Sequence, residues 1–220
     1  MKKNQFLAIM FLAQASLASA ARMEEITDEA TFLTKIKPDY YLEDFSNYIY
    51  SDTINGELTA DFGSVNGYSW TASTTVPTIP GGKAQEPSGL FSLTRALSTV
   101  HFEDLLTITF TGRPVTALGG IFASTETSGD VAPQQEVIIT LSDNTSVRFL
   151  GSDFRGFTSD VAIASLTIDA VDVVQNDPNN VFWPKLEHFY IGSVPVPASI
   201  WLFGSGLLGL FSLKRCSKFG

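Results

Sequence analysis

Two adjacent carboxylate pairs, Glu43-Asp44 and Glu103-Asp104, are where acid–base chemistry would first be sought in this chain of 220 residues. Hydrolysis of a glycosidic bond needs two carboxyl groups facing each other across a sugar. Neighbours on a strand point to opposite faces, so both pairs read as solvated charge at strand ends. His101 and His188 lie far apart, and a zinc site would need more His or Cys within reach of either. Each reads as a strand residue. The sequence holds no Gly-x-Ser-x-Gly elbow, no glycine-rich phosphate loop and no His-Glu-x-x-His, and nothing singles out a Ser-His-Asp triad. Asp169, Asp172 and Asp177, with Asn176, Asn179 and Asn180, are oxygen donors of the kind that hold calcium. Their spacing is not that of an EF-hand loop, and a polar turn is the default reading. No catalytic residue and no other cofactor is expected. A carbohydrate platform would use exposed rings with amides and carboxylates nearby, and Tyr48, Tyr50, Tyr68, Trp70 and Trp183 are the rings available. Aromatic residues in strands belong more often to a core.

The elements that must position these residues are strands. From Tyr40 the hydrophobic period is two: Tyr41, Glu43 and Phe45 alternate with Leu42, Asp44 and Ser46, and Tyr48-Ile49-Tyr50 continues the pattern. Asn55-Gly56 is a tight-turn signal before Glu57–Phe62. Tyr68–Ala72, Leu90–Ser92 and Val100–Glu103 read as short strands, with a Pro/Gly-rich loop over Pro77–Gly89. The clearest alternation is Leu106, Ile108 and Phe110 against Thr107, Thr109 and Thr111. Val115–Phe122 is apolar enough for a central strand, with a bulge expected at Gly119-Gly120. Thr125–Gln134 reads as a polar loop. Glu136–Leu141 and Ser146–Leu150 flank Ser142–Thr145 as a hairpin. Val161–Ile168 and Leu186–Gly192 complete about ten strands, separated by an Asn/Asp/Pro loop over Val174–Asn180. The expectation is an all-β domain, a two-sheet β-sandwich of jelly-roll type spanning residues 40–193. A polar lead over residues 21–39 precedes it. There Thr27-Asp28-Glu29-Ala30 resembles a helix start and Phe32, Leu33 and Ile36 share one face, a piece expected to pack on the domain's edge.

Both ends have a different character. Lys2 and Lys3, the apolar run Phe6–Leu17 and the small residues Ala18-Ser19-Ala20 form a secretory signal, with the mature chain expected to begin at Ala21. At the other end, Val194-Pro195-Val196-Pro197-Ala198 leads into an uncharged run from Ala198 to Leu213, followed by Lys214, Arg215 and Lys218. Sixteen helical residues cover about 24 Å, against a bilayer core of about 30 Å. Snorkelling by Lys214 brings the segment to a marginal span. The basic cluster orients it with the body outside. Gly204, Ser205, Gly206 and Gly209 are common residue types in membrane helices. All 23 acidic residues lie between the two signals against nine Lys and Arg, a formal charge of −14 there. That balance excludes nucleic acid as a partner and disfavours anionic lipid. The one cysteine, Cys216, lies in the tail, so the body has no disulfide and must be held by a core.

The terminal stretch resembles the C-terminal sorting signal of the PEP-CTERM class, in the variant that reads Val-Pro-Leu-Pro-Ala, with Val196 where that variant has Leu. Ile200-Trp201-Leu202-Phe203-Gly204-Ser205-Gly206-Leu207-Leu208-Gly209-Leu210 follows the family pattern, while Cys216 stands where further Arg or Lys is usual. The resemblance covers about the last 25 residues. It implies a Gram-negative bacterium, transient residence in the inner membrane, cleavage near the Pro-Ala motif by an exosortase, and transfer to the cell surface or its polysaccharide matrix. The body resembles β-sandwich domains common in this class at Phe154–Asp160, the strand to Ile168, and Leu186–Gly192; Glu187-His188-Phe189 stands where their last strand usually reads Asp-Asp-Phe. The resulting expectation is a non-enzymatic surface or matrix protein whose body binds extracellular polysaccharide. The alternatives are a polysaccharide-active enzyme on a concanavalin-like sandwich and a plain single-pass membrane protein.

Overall fold

The computed structural model describes residues 23–47, 57–76, 87, 89–93, 95–102, 104–171 and 181–195. Among them are thirteen strands: β1 (Met23–Ile26), β2 (Tyr41–Glu43), β3 (Thr59–Val65), β4 (Tyr68–Thr75), β5 (Leu90–Leu93), β6 (Ala96–Thr99), β7 (Leu105–Phe110), β8 (Val115–Thr125), β9 (Glu136–Leu141), β10 (Ser146–Leu150), β11 (Ser152–Ile163), β12 (Ser165–Val171) and β13 (Trp183–Gly192). One helix, α1 (Glu29–Lys35), lies between β1 and β2. They form two antiparallel sheets, a β-sandwich as expected. The first runs β1-β11-β8-β13-β6-β5, with β2 sharing the edge of β13 that β6 occupies. The second runs β10-β9-β12-β7-β4-β3.

Alternation decides which side chains meet between the sheets. From β4, Tyr68, Trp70 and Ala72 point inward; from β7, Leu106 and Ile108; from β9, Val137, Ile139 and Leu141; from β12, Leu166 and Ile168. They meet Leu118, Phe122, Phe157, Leu186, Phe189 and Ile191 of the first sheet. Trp70 is 1% exposed and lies parallel to Phe62 at 4.2 Å, with Phe189 edge-on at 5.3 Å. With no disulfide, this core supplies the stability, at roughly 25 cal/mol per Å² of apolar surface removed from water.

The outward residues of the second sheet are mostly hydroxyls. A row of Thr59, Ser73, Thr107, Thr167, Thr140 and Ser146 crosses all six strands in register. Thr is a good strand former because its branched side chain suits a pleated, half-wet surface. The face is therefore rich in hydroxyls, with Asp61, Asp169 and the Glu136–Arg148 ion pair as its charged groups.

The lead is part of the fold. Asp28 caps α1, its Oδ1 accepting from Thr31 N at 2.7 Å, and β1 pairs with β11 as the edge strand of the first sheet. The helix lies on that sheet's outer face, where Phe32, Ile26 and Ile36 form a second cluster with Ala117, Phe154 and Tyr190. Phe32 is completely buried over the paired glycines Gly119 and Gly156. A Cβ on Gly156 would stand 2.5 Å from the Phe32 ring.

Three expectations are corrected, and one default reading, that strand aromatics belong to the core, holds for Tyr68 and Trp70. The bulge is on β13, not at Gly119-Gly120: β8 and β11 pair without interruption there, whereas the β13 register slips between Glu187 and Tyr190. His188 takes the positive φ of 44° that the extra residue requires. The glycines serve close packing instead. Val100-His101-Phe102 is not a strand; the strand is the preceding Ala96–Thr99, all four residues buried. Val161–Ile168 is two strands, because the chain leaves β11 at Ala164 and crosses into the second sheet as β12. The core also claims Tyr68 and Trp70, which removes both from any surface platform.

Candidate functional site

The strands define two ends. At one, the connections are short: Asn66-Gly67 between β3 and β4, residues 111–114 between β7 and β8, and Ala164 between β11 and β12. β13 leaves the body at this end. Gly192 closes the strand, and the next residues are held by elements from both sheets. Lys37 N donates to Ser193 O at 3.0 Å, Tyr68 Oη to Ser193 Oγ at 3.2 Å, and Val194 N to Thr116 Oγ1 at 3.0 Å. Val194 also packs on the Phe32 cluster, and a Cβ at Gly192 would touch Tyr40 and Ile36. Arg113 pairs with Asp39 at 2.6 Å beside this exit, holding the Asp39 carboxyl below the usual carboxylate range through that hydrogen bond. Pro195 stands exposed one residue further on. The fold is therefore anchored up to Val194 and frees the chain where the Pro-x-Pro motif begins.

Residues 193–215 match the PEP-CTERM protein-sorting motif. The match begins at Ser193, the last residue that the body buries, so motif and domain adjoin without a spacer. The motif supports an exported protein processed by an exosortase. No curated protein matches the chain. Of the sorting residues named from sequence, Val194 and Pro195 are placed as above. Val196, Pro197, Ala198, the apolar residues from Ile200 to Leu210, the basic Lys214, Arg215 and Lys218, and the leader residues Ala18, Ala20 and Ala21 lie outside the described residues.

At the opposite end Gly151 alone joins β10 to β11, while residues 126–135 form a long connection between β8 and β9. Here the outer face of the first sheet carries a cleft of about 190 Å³, lined by Phe91, Ser98, Val100, Thr125, Glu126, Thr127, Gly129 and Trp183. Pairings between β5, β6, β13 and β8 bring these residues to one face. The Trp183 ring is set in place: its Nε1 donates to Val100 O at 3.1 Å, and Phe102 meets it edge-on at 6.0 Å. Ser98 Oγ donates to Pro184 O at 2.8 Å and Thr125 Oγ1 to Trp183 O at 3.4 Å. A turn closed by Glu126 N donating to Asp130 O at 2.9 Å forms the rim.

The remaining candidates do not converge. Glu43 turns inward, accepting from Tyr41 Oη and from Phe45 N at 2.9 Å, while Asp44 turns outward and accepts from Ser46 N at 3.0 Å, which lowers its pKa. The pair organises a turn rather than a groove. Asp104 is buried, and Glu103 lies outside the described residues. His101 stacks on Phe102 and His188 sits on the bulge of β13. Asp169 is on the outer face of the second sheet, its pKa raised by burial; Asp172, Asn176, Asp177, Asn179 and Asn180 lie outside the described residues. Among the described residues no group of three His, Cys, Asp or Glu could hold a metal. Tyr48 and Tyr50 lie outside the described residues as well.

Proposed function

We propose that this is a non-enzymatic surface or matrix protein: delivered through the inner membrane, released from its C-terminal helix by an exosortase, and displayed with its sandwich engaging extracellular polysaccharide. The observation that supports the delivery is the exit geometry. The sandwich is hydrogen-bonded through Val194, and the matched motif begins at Ser193, so the sequence that the cutting enzyme reads adjoins the folded body directly. The acidic body repels anionic lipid and favours staying dispersed outside the cell. A hydroxyl-rich face suits a hydrated polysaccharide environment better than a protein interface, whose centre is apolar. The deciding experiment is mass spectrometry of the protein's C-terminus in hosts with and without an exosortase. The Leu213-Lys214 peptide should vanish only where the exosortase is present. Its survival in both hosts would make the protein a permanent single-pass anchor instead. The polysaccharide half is tested by co-sedimentation with the host's extracellular polysaccharide.

A further inference from the structure

We infer that the cleft beside Trp183, at the end of the sandwich opposite the sorting signal, holds one uncharged sugar ring. This rests on the polysaccharide reading and locates it. At about 190 Å³ the cleft is smaller than the roughly 300–1,000 Å³ of drug-sized ligand sites, which limits the occupant to about one ring. Its chemistry is one-sided. The indole N–H of Trp183 is engaged by Val100, so what the ring offers a ligand is its apolar π surface, with Phe91 alongside. A ring held by a hydrogen bond and by Phe102 loses little freedom when a ligand stacks on it. The hydroxyls of Ser98 and Thr125 donate to backbone carbonyls and both residues are buried, so they tie the cleft wall together and leave the exposed Thr127 and Glu126 side chains to meet ligand hydroxyls. Glu126 adds a carboxylate that only accepts. Among the described residues no Lys or Arg lines the cleft. A site of acceptors around an aromatic wall suits a ligand that has an apolar C–H face and many hydroxyl donors. It repels uronates and sulfated sugars. A pyranose ring without acidic groups has both properties.

The test uses the full-length chain in a detergent without a sugar headgroup, titrated with dextran, N-acetylglucosamine oligomers and alginate. Tryptophan fluorescence is the readout, because Trp70 is buried and Trp183 lines the cleft. Dextran or the N-acetylglucosamine oligomers should bind with Kd on the order of 1 mM, as suits a single-ring contact. Trp183→Ala should weaken this at least tenfold and Trp183→Phe should retain most of it. Thr127→Arg, at an exposed rim position, should block the cleft without disturbing the core; binding of all three variants, two of which lack the Trp183 fluorophore, is followed by co-sedimentation with cross-linked dextran. Neutral sugar binding that survives both Trp183→Ala and Thr127→Arg would overturn the cleft assignment and leave the polysaccharide reading standing. Absence of binding to any neutral sugar, while the host polysaccharide still co-sediments, would overturn the assignment as well. Alginate binding as tight as dextran would overturn the charge argument.

Discussion

Replacing Gly156 by Ala should destabilise the protein for one reason only, and a second substitution should reverse the sign. Gly156 does not have a positive φ, so its backbone accepts Ala without strain, and Gly→Ala inside a strand ordinarily stabilises by about 0.5–1 kcal/mol. Here the new Cβ would lie 2.5 Å from one Phe32 ring atom, 3.0 Å from another and 3.2 Å from the Phe154 ring. Phe32 cannot yield in place, since it is fully buried with Phe154 at 5.6 Å and Tyr190 at 6.2 Å between ring centres. The clash must move α1 off the sheet or distort β11, an overpacking penalty of about 1–3 kcal/mol. Phe32→Ala alone should cost about 3–5 kcal/mol through the void it leaves. In that background both Phe32 contacts are gone and only the Phe154 ring edge at 3.2 Å remains, which can shift into the vacated space, so Gly156→Ala should become stabilising. The double-mutant cycle therefore predicts a coupling of about 2–3 kcal/mol. The measurement is urea unfolding of the four proteins in detergent, followed by Trp70 fluorescence in a background with both Trp183→Phe and Trp201→Phe. Equal effects of Gly156→Ala with and without the Phe32 ring would refute the claim that this glycine exists to seat the helix.

Three further perturbations follow from the same geometry. Asp28→Ala removes the cap that accepts from Thr31 N and Thr31 Oγ1, so α1 should loosen, whereas Asp28→Asn should preserve most of the cap. The same hydrogen bonds lower the Asp28 pKa, so its contribution is present above 3.8 and disappears as pH falls through the lowered value; hydrogen exchange in α1 at pH 6 and pH 3 should show the Ala deficit shrinking. Asp169 has the opposite sign: burial raises its pKa, so ionisation weakens folding as pH rises past 3.8, and Asp169→Asn should raise Tm at pH 7 and leave it nearly unchanged at pH 3. Finally, force applied between the C-terminus and residue 127 pulls β13 and β8 past each other along eight registered pairs, loading their hydrogen bonds together. Single-molecule unfolding in this geometry should need more force than pulling from the C-terminus against β1, an edge strand; equal forces would refute the shear argument.

How much of this was legible in the sequence depended on how far apart the cooperating residues lie. The sorting signal is written in consecutive residues, because a proline motif, an apolar run and a basic stop each act through local chemistry. The β7, β9 and β12 strands were legible for a similar reason: their alternation records one wet face and one dry face. Alternation could also have separated the two tryptophans. Trp70 is in phase with Tyr68 and Ala72 and out of phase with Ser69 and Thr71, the pattern of an inward residue, whereas Trp183 is in phase with Lys185 and Glu187. The residues missed were those whose conformation is imposed by a distant partner. Met-Glu-Glu-Ile carries no strand pattern and becomes β1 because β11 offers it an edge. Gly119-Gly120 reads like a bulge because glycine in a strand has two explanations, a bent backbone or a close neighbour, and the neighbours here are distant in sequence: Phe154 and Phe32 at Gly119, Leu186 at Gly120. The cleft belongs to the same class. Phe91, Ser98, Thr125 and Trp183 come from four strands, and only the order β8-β13-β6-β5 makes them neighbours. That order also fixes the relation between delivery and binding: β13 begins with Trp183 and ends at Gly192, so one central strand connects the cleft to the sorting signal at opposite ends of the sandwich. A ligand held at Trp183 and a tether pulled at Val194 would load the same strand, which both sheet edges of β13 hold in register.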